Sequence, residues 1–135
     1  MMKVLCDTHI LIWYMTGDER LSAKARDIID DINNKVYFSI VSVWEVSVKH
    51  GHKPDKLTLS AQDFVKYCDE QGFVEYPLHQ RHIFTVDTLS RPDNAPEHHD
   101  PFDRLLISQA KSDELAFLTH DSLIPYYNEP CVISV

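Results

Sequence analysis

Lys3-Val4-Leu5-Cys6-Asp7-Thr8-His9-Ile10-Leu11-Ile12-Trp13-Tyr14-Met15 decides the fold. Val4 to Cys6 is a short apolar run that reads as a strand, and His9 to Met15 reads as the helix that follows almost at once. A strand feeding directly into a helix is the opening half of a βα unit. Further along, the same alternation repeats. Strands are predicted at Val36–Ile40, Gly72–Tyr76 and Leu115–Thr119, with a last one at Cys131–Val135. Helices are predicted at Ala23–Asn33, Ser42–His50, Ala61–Gln71, His79–Leu89 and Pro101–Asp113. Short apolar strands separated by longer amphipathic stretches predict an α/β chain with a parallel sheet. The punctuation agrees: Asn33-Asn34, Gly51 and Gly72 stop helical patterns, Ser60 and Asp100 are N-caps, and Pro101 opens its helix. Ser90 to His99, with two prolines and several charges, reads as an exposed loop.

The 135 residues are the size of one domain, 1–135, and at 44% apolar they can build a real interior. The apolar stretch around Ile10–Met15 is far short of the roughly 20 residues that span a bilayer. The start Met1-Met2-Lys3-Val4-Leu5-Cys6 meets Asp7 too early for a signal peptide, so a cytoplasmic location is expected. Cys6, Cys68 and Cys131 are an odd, widely spaced set and read as buried small hydrophobes in a reducing compartment. Thirteen Lys plus Arg against 21 Asp plus Glu give a net charge of −8. That sign excludes holding nucleic acid by bulk electrostatics, so any such contact must be local.

Ligands of open α/β sheets gather beyond the carboxyl ends of the strands. Asp7 ends strand one, Asp121 follows strand four, Asp103 sits in the first turn of the helix entering strand four, and Glu45 lies in the helix after strand two. Glu45 is anomalous there, because Val41, Trp44 and Val48 at helical spacing assign its face to the core. If the strands are neighbours, the four acids converge. Crowded carboxylates repel one another unless something positive sits among them, and a hard divalent cation answers that need. Mg²⁺ with carboxylate, water and phosphate ligands would support phosphodiester hydrolysis. Each acid also has a plainer reading. Asp7 would cap the helix near His9, Ser42-Val43-Trp44-Glu45 would be a capping box, Asp100 and Asp103 would open the helix at Pro101, and Asp121 would cap the turn Ser122–Tyr126.

Four words settle the choice at the level of family: Leu5-Cys6-Asp7-Thr8-His9, Ser42-Val43-Trp44-Glu45-Val46, His99-Asp100-Pro101-Phe102-Asp103-Arg104-Leu105-Leu106-Ile107-Ser108-Gln109-Ala110, and Leu118-Thr119-His120-Asp121. In this order, spread over nearly the whole chain, they resemble PIN-domain nucleases, and the Asp-Pro-Phe-Asp-Arg block resembles VapC-type toxins of bacterial toxin–antitoxin pairs. The resemblance implies a three-layer α/β/α sandwich and a Mg²⁺- or Mn²⁺-dependent endoribonuclease. It places Asp7, Glu45, Asp103 and Asp121 in the acidic site, with Asp121 acting through water and Asp100 either supporting the site or only capping its helix. It also implies an antitoxin partner whose C-terminal segment blocks the acidic groove, and a homodimer or hetero-oligomer.

Around these acids, Thr8 is expected to hold the Asp7 loop, orient a metal-bound water or simply cap its helix, and Arg104 to meet a substrate phosphate, brace the acids or pair with a helix-surface acid. Trp13, Trp44 and Phe102 read as core rather than base-stacking platforms. His98-His99-Asp100 superficially matches HD-type phosphohydrolases, whose mostly helical chains this alternating pattern does not fit. The two histidines read instead as solvated loop, with His99 the one assigned a tuning role. Lys49, His50, His52, Lys53 and Lys56 form the densest basic stretch and read as a solvated face, with local RNA contact as the functional alternative. The competing function is a non-catalytic acidic interaction module of the same fold, which would bind no metal. A phospho-receiver version of it lacks a partner lysine.

Overall fold

Side chains along the first strand, β1 (Lys3–Cys6), point alternately into two different cores, and this sets the architecture. Val4 and Cys6 join a buried cluster with Ile10, Leu11, Phe38, Phe64 and Leu118, whereas Leu5 joins a second with Tyr37, Leu106, Ile107 and Phe117. A sheet buried on both faces needs apolar residues at both parities, hence the unbroken run of the opening sequence. The computed structural model describes residues 1–135.

The sheet comprises β1, β2 (Lys35–Ser39), β3 (Val74–Tyr76), β4 (Ala116–Thr119) and β5 (Val132–Ser134) in the order β3-β2-β1-β4-β5, with every neighbouring pair parallel. Helices α1 (Thr8–Thr16), α2 (Ala23–Asp30) and α4 (Ala61–Glu70) supply the first core, and α6 (Pro101–Asp113) supplies the second. The result is the three-layer α/β/α arrangement. Two further helices, α3 (Ile40–His52) and α5 (Gln80–Val86), complete it, and a 3₁₀ turn at Ile124–Tyr127 links β4 to β5. No helix is long and apolar enough to cross a membrane.

The structure corrects the sequence reading most at α3. The helix starts at Ile40, because Ser39, the last residue of β2, accepts from the Val41 amide through its hydroxyl (2.9 Å) and caps it directly. Ser42 therefore lies inside the helix, and no Ser42–Glu45 capping box forms. The rotation also changes the buried face to Val41, Ser42, Glu45 and Val46. Trp44, expected in the core, is 63% exposed, and Val48 is at the surface with it. Trp13 is buried as expected, Phe102 is half-buried, and of the cysteines Cys131 is only half-buried. Helix α2 ends three residues earlier than predicted, where the Asp31 side chain takes the Asn33 amide and turns the chain.

Candidate functional site

Asp7 leaves the end of β1 with its amide donating to the Leu118 carbonyl (2.9 Å), which fixes it between β1 and β4. It precedes α1 but makes no side-chain cap, so the plain capping reading does not hold. Its Oδ2 accepts from Thr119 Oγ1 at 2.8 Å, and its Oδ1 is buried without any partner. Burial first, then the Glu45 and Asp121 charges, outweigh the hydrogen bonds from Thr119 and the Thr8 backbone and push its carboxyl up to about 7.

Asp103 enters from the other side, on the first turn of α6. Asp100 caps that turn, accepting from the amides of Phe102 (2.9 Å) and Asp103 (3.2 Å), which settles Asp100 as the helix cap. Asp103 is itself buried, and burial with the charges of Asp7, Asp100, Glu45 and Asp121 pushes its carboxyl up to about 9. Glu45 reaches in from α3 almost fully buried. Its Oε1 accepts from Thr8 Oγ1 (2.6 Å) and its Oε2 from Lys49 Nζ (2.5 Å), so Thr8 braces Glu45 rather than the Asp7 loop. Asp121 is half-buried. Its Oδ1 accepts from the Leu123 amide (2.8 Å), the turn cap foreseen, while its own amide donates to Thr119 Oγ1 (3.1 Å).

Thr119 thus ties Asp7 to Asp121. It stands inside one of the quoted words, and the signal was there: a hydroxyl at the carboxyl end of a strand, two residues before an acid. His98 was missed for a different reason, since its loop is polar and proline-rich. The residue expected to be solvated is buried, with Nδ1 2.7 Å from the Tyr127 hydroxyl and Nε2 3.1 Å from Asp103 Oδ2. Burial holds its pKa below the usual histidine range. His99, given the tuning role, is exposed beside Glu97 and away from the acids.

Coordinating atoms of His98, Asp103 and Asp121 all lie within 4.8 Å of one another. Together with the orphan oxygen of Asp7, they are a donor set with a positive charge missing from its centre. A hard cation fits this chemistry: a buried Asp7 oxygen without a donor, and two carboxyls displaced upward by burial first and then by their neighbours' charge.

The sequence model of the family described as PIN domain matches residues 4–128. The chain belongs to the PIN-domain family. No curated protein matches it in sequence. Among solved structures, this PIN domain is similar to VapBC2 from Rickettsia felis bound to a promoter DNA fragment (TM-score 0.68, 14% identity, covering 99% of this chain and 98% of that one). It is also similar to VapBC-1 from nontypeable Haemophilus influenzae (0.66, 14%, 98% and 98%) and to a toxin–antitoxin complex from Klebsiella pneumoniae (0.62, 17%, 97% and 96%). At these identities the likeness is one of fold.

Two hollows border the acids of the PIN domain. A cleft of about 640 Å³ begins at Thr8, Glu45 and Lys49 and runs between Trp13 and Ile12 on one side and Lys53 and Lys56 on the other. The basic stretch therefore lines a cleft opening from the acids rather than a featureless surface. A smaller hollow is lined by Arg91, His98, His99, Arg104 and Tyr127, with the Arg91 guanidinium 5.6 Å from the Tyr127 ring centre. Arg104 makes no ion pair with a helix-surface acid, so its charge stays available at the rim.

Proposed function

We propose that this PIN domain is a divalent-metal-dependent endoribonuclease that hydrolyses RNA phosphodiester bonds, and that it acts as the VapC-type toxin of a toxin–antitoxin pair. The observation that carries the reading is the convergence of Asp7, Glu45, Asp103 and Asp121 at the carboxyl ends of β1 and β4, with Asp7 Oδ1 buried and unpartnered. Asp7 and Asp103 would hold Mg²⁺ or Mn²⁺ directly, and Glu45 and Asp121 directly or through water. When bound, such a cation lowers the pKa of water and neutralises charge developing on a phosphate.

The chain's own residues prepare that site. Thr119 occupies Asp7 Oδ2 and leaves Oδ1 as the free ligand atom. Thr8 and Lys49 hold Glu45 from two sides, fixing its rotamer within the buried face of α3. Lys53 and Lys56 along the cleft, and Arg104 at the opposite rim, give an RNA strand local phosphate contacts despite the acidic total. The similar solved structures are VapBC and toxin–antitoxin complexes, which supports an antitoxin partner; an arginine of that partner would suit the carboxylates chemically. The exposed Ile40, Trp44 and Val48 on α3 leave apolar surface for that partner or for a homodimer.

The deciding experiment compares wild type with Asp7→Asn on a labelled, structured RNA pool in Mg²⁺, Mn²⁺ and chelator. Metal-dependent cutting by wild type alone is the expected result. No cutting, together with no metal binding by calorimetry, would replace the nuclease by a non-catalytic interaction module.

A further inference from the structure

His98 is the one imidazole bonded to an acid of the site, and it carries the features of a metal ligand rather than of a loop residue. Its Nε2 lies 3.1 Å from Asp103 Oδ2, and both atoms belong to the group that gathers with Asp121 within 4.8 Å. Two adjacent ligands of an octahedral ion with bonds of about 2.1 Å stand about 3.0 Å apart, the edge of the octahedron. The pair is already spaced as such an edge. The other ring nitrogen, Nδ1, is 2.7 Å from the Tyr127 hydroxyl, the outer hydrogen bond that ligating histidines almost always make and that fixes ring orientation and tautomer. Tyr127 is buried, and its ring meets the imidazole edge-on with centroids 5.4 Å apart, so the histidine is held on two sides. A second, independent sign of an absent cation comes from a different strand: Asp7 Oδ1, buried and without a donor.

We infer that His98 supplies a nitrogen ligand, through Nε2, to a divalent ion shared with Asp103 and Asp121, and that the site consequently prefers Mn²⁺ and later first-row metals to Mg²⁺. The inference rests on the metal-dependent reading above and adds to it a nitrogen ligand and the metal class. Mg²⁺ gains little from imidazole, whereas affinity for nitrogen-containing sites rises from Mn²⁺ towards Cu²⁺. Tyr127 is a positioning residue in this scheme, acting through the imidazole.

Pulsed electron paramagnetic resonance of the Mn²⁺-loaded wild-type protein tests it without any variant. Directly bonded nitrogen gives ¹⁴N modulation, which is expected in wild type and absent in His98→Gln. Calorimetry supplies the second readout. Tyr127→Phe, which keeps the ring and removes only the outer hydrogen bond, should lose about 10- to 100-fold in Mn²⁺ affinity, and His98→Gln at least as much, with little change in Mg²⁺ affinity. Mn²⁺ bound by wild type with no ¹⁴N signal, or a signal that survives in His98→Gln, would overturn the ligand assignment while leaving an all-oxygen metal site intact. No Mn²⁺ bound by wild type would overturn both.

Discussion

Helix α6 carries an acid at each end, Asp103 buried and Asp113 partly so, and the two are opposites. Asp103, at its start, has its carboxyl pushed up to about 9 by burial and by four neighbouring acids. Asp113, at its end, accepts from both Arg81 Nε (2.9 Å) and Nη2 (2.9 Å), from the Tyr76 hydroxyl and from His82 Nε2 (2.8 Å). The Arg81 fork, against the pull of burial and with Tyr76 and His82 assisting, holds its carboxyl well below the usual range. One acid is saturated with donors and fastens β3 and α5 to α6. The other has nearly none. Burial of a carboxylate is thus neutral on function. The donor inventory around it separates a structural knot from a place where something positive is meant to bind.

The contrast can be broken from either end. Asp103→Asn should abolish metal-dependent RNA cleavage, by at least about 100-fold, since even changes one shell out cost roughly 10- to 100-fold. In the metal-free protein at pH 8 the same change should raise Tm, because the folded state must hold this carboxyl largely protonated while the unfolded chain, with a value near 4, ionises it freely. Differential scanning fluorimetry with chelator checks this, and an unchanged cleavage rate would remove Asp103 from the site. Asp113→Ala should do the reverse. Orphaning the buried His82 Nε2 and the Tyr76 hydroxyl should cost about 2 kcal/mol in urea denaturation while Mn²⁺ affinity stays at the wild-type value.

Titration should separate the two ends by sign. Asp7 and Asp103 have folded-state values raised to about 7 and about 9, so their ionisation weakens the metal-free fold progressively as pH climbs from the unfolded value near 4 through those values. Melting temperature in chelator should therefore rise on acidification from pH 9 to pH 5.5, and saturating Mn²⁺ should flatten or invert the slope. Asp113, with a depressed value, contributes stability that is complete above about pH 4 and is lost only below it. The smallest effect sits between the extremes, at Glu45, which has acquired a cation of its own. Because Lys49 is 41% exposed, Lys49→Met should change stability by less than about 1 kcal/mol. It should tighten Mg²⁺ binding by a few-fold in calorimetry, since a competing charge is gone.

The fold was legible because its signal is repeated. The central strands β1, β2 and β4 are short apolar runs buried on both faces, and the turn chemistry at Ser60, Asp100 and Gly72 marked the joints. The site was legible in its acids, whose placement at strand ends has a topological reason. What stayed hidden depended on rotation and long-range packing. The cap of α3 lies at Ser39, three residues before the expected Ser42, with Trp44 turned outward and Glu45 a buried, two-sided hydrogen-bond acceptor. The Thr119 bond to Asp7 spans 112 residues, so the local pattern marks the hydroxyl but not the distant acid it meets. His98 lies in a segment whose composition reads as solvated, yet Tyr127, far along the chain, folds over it.

The order of the strands also sets when the site can exist. β1 sits at the middle of the sheet with β2 on one side and β4 on the other, so Asp7 and Glu45 are in place after the first third of the chain. Asp103 and Asp121 arrive only with the last. During synthesis, with the amino-terminal part folding first, the growing chain holds half a constellation and no means of completing it until β4 has emerged. On the proposed function, a nuclease assembled in this order would be harmless to the ribosome and message still producing it.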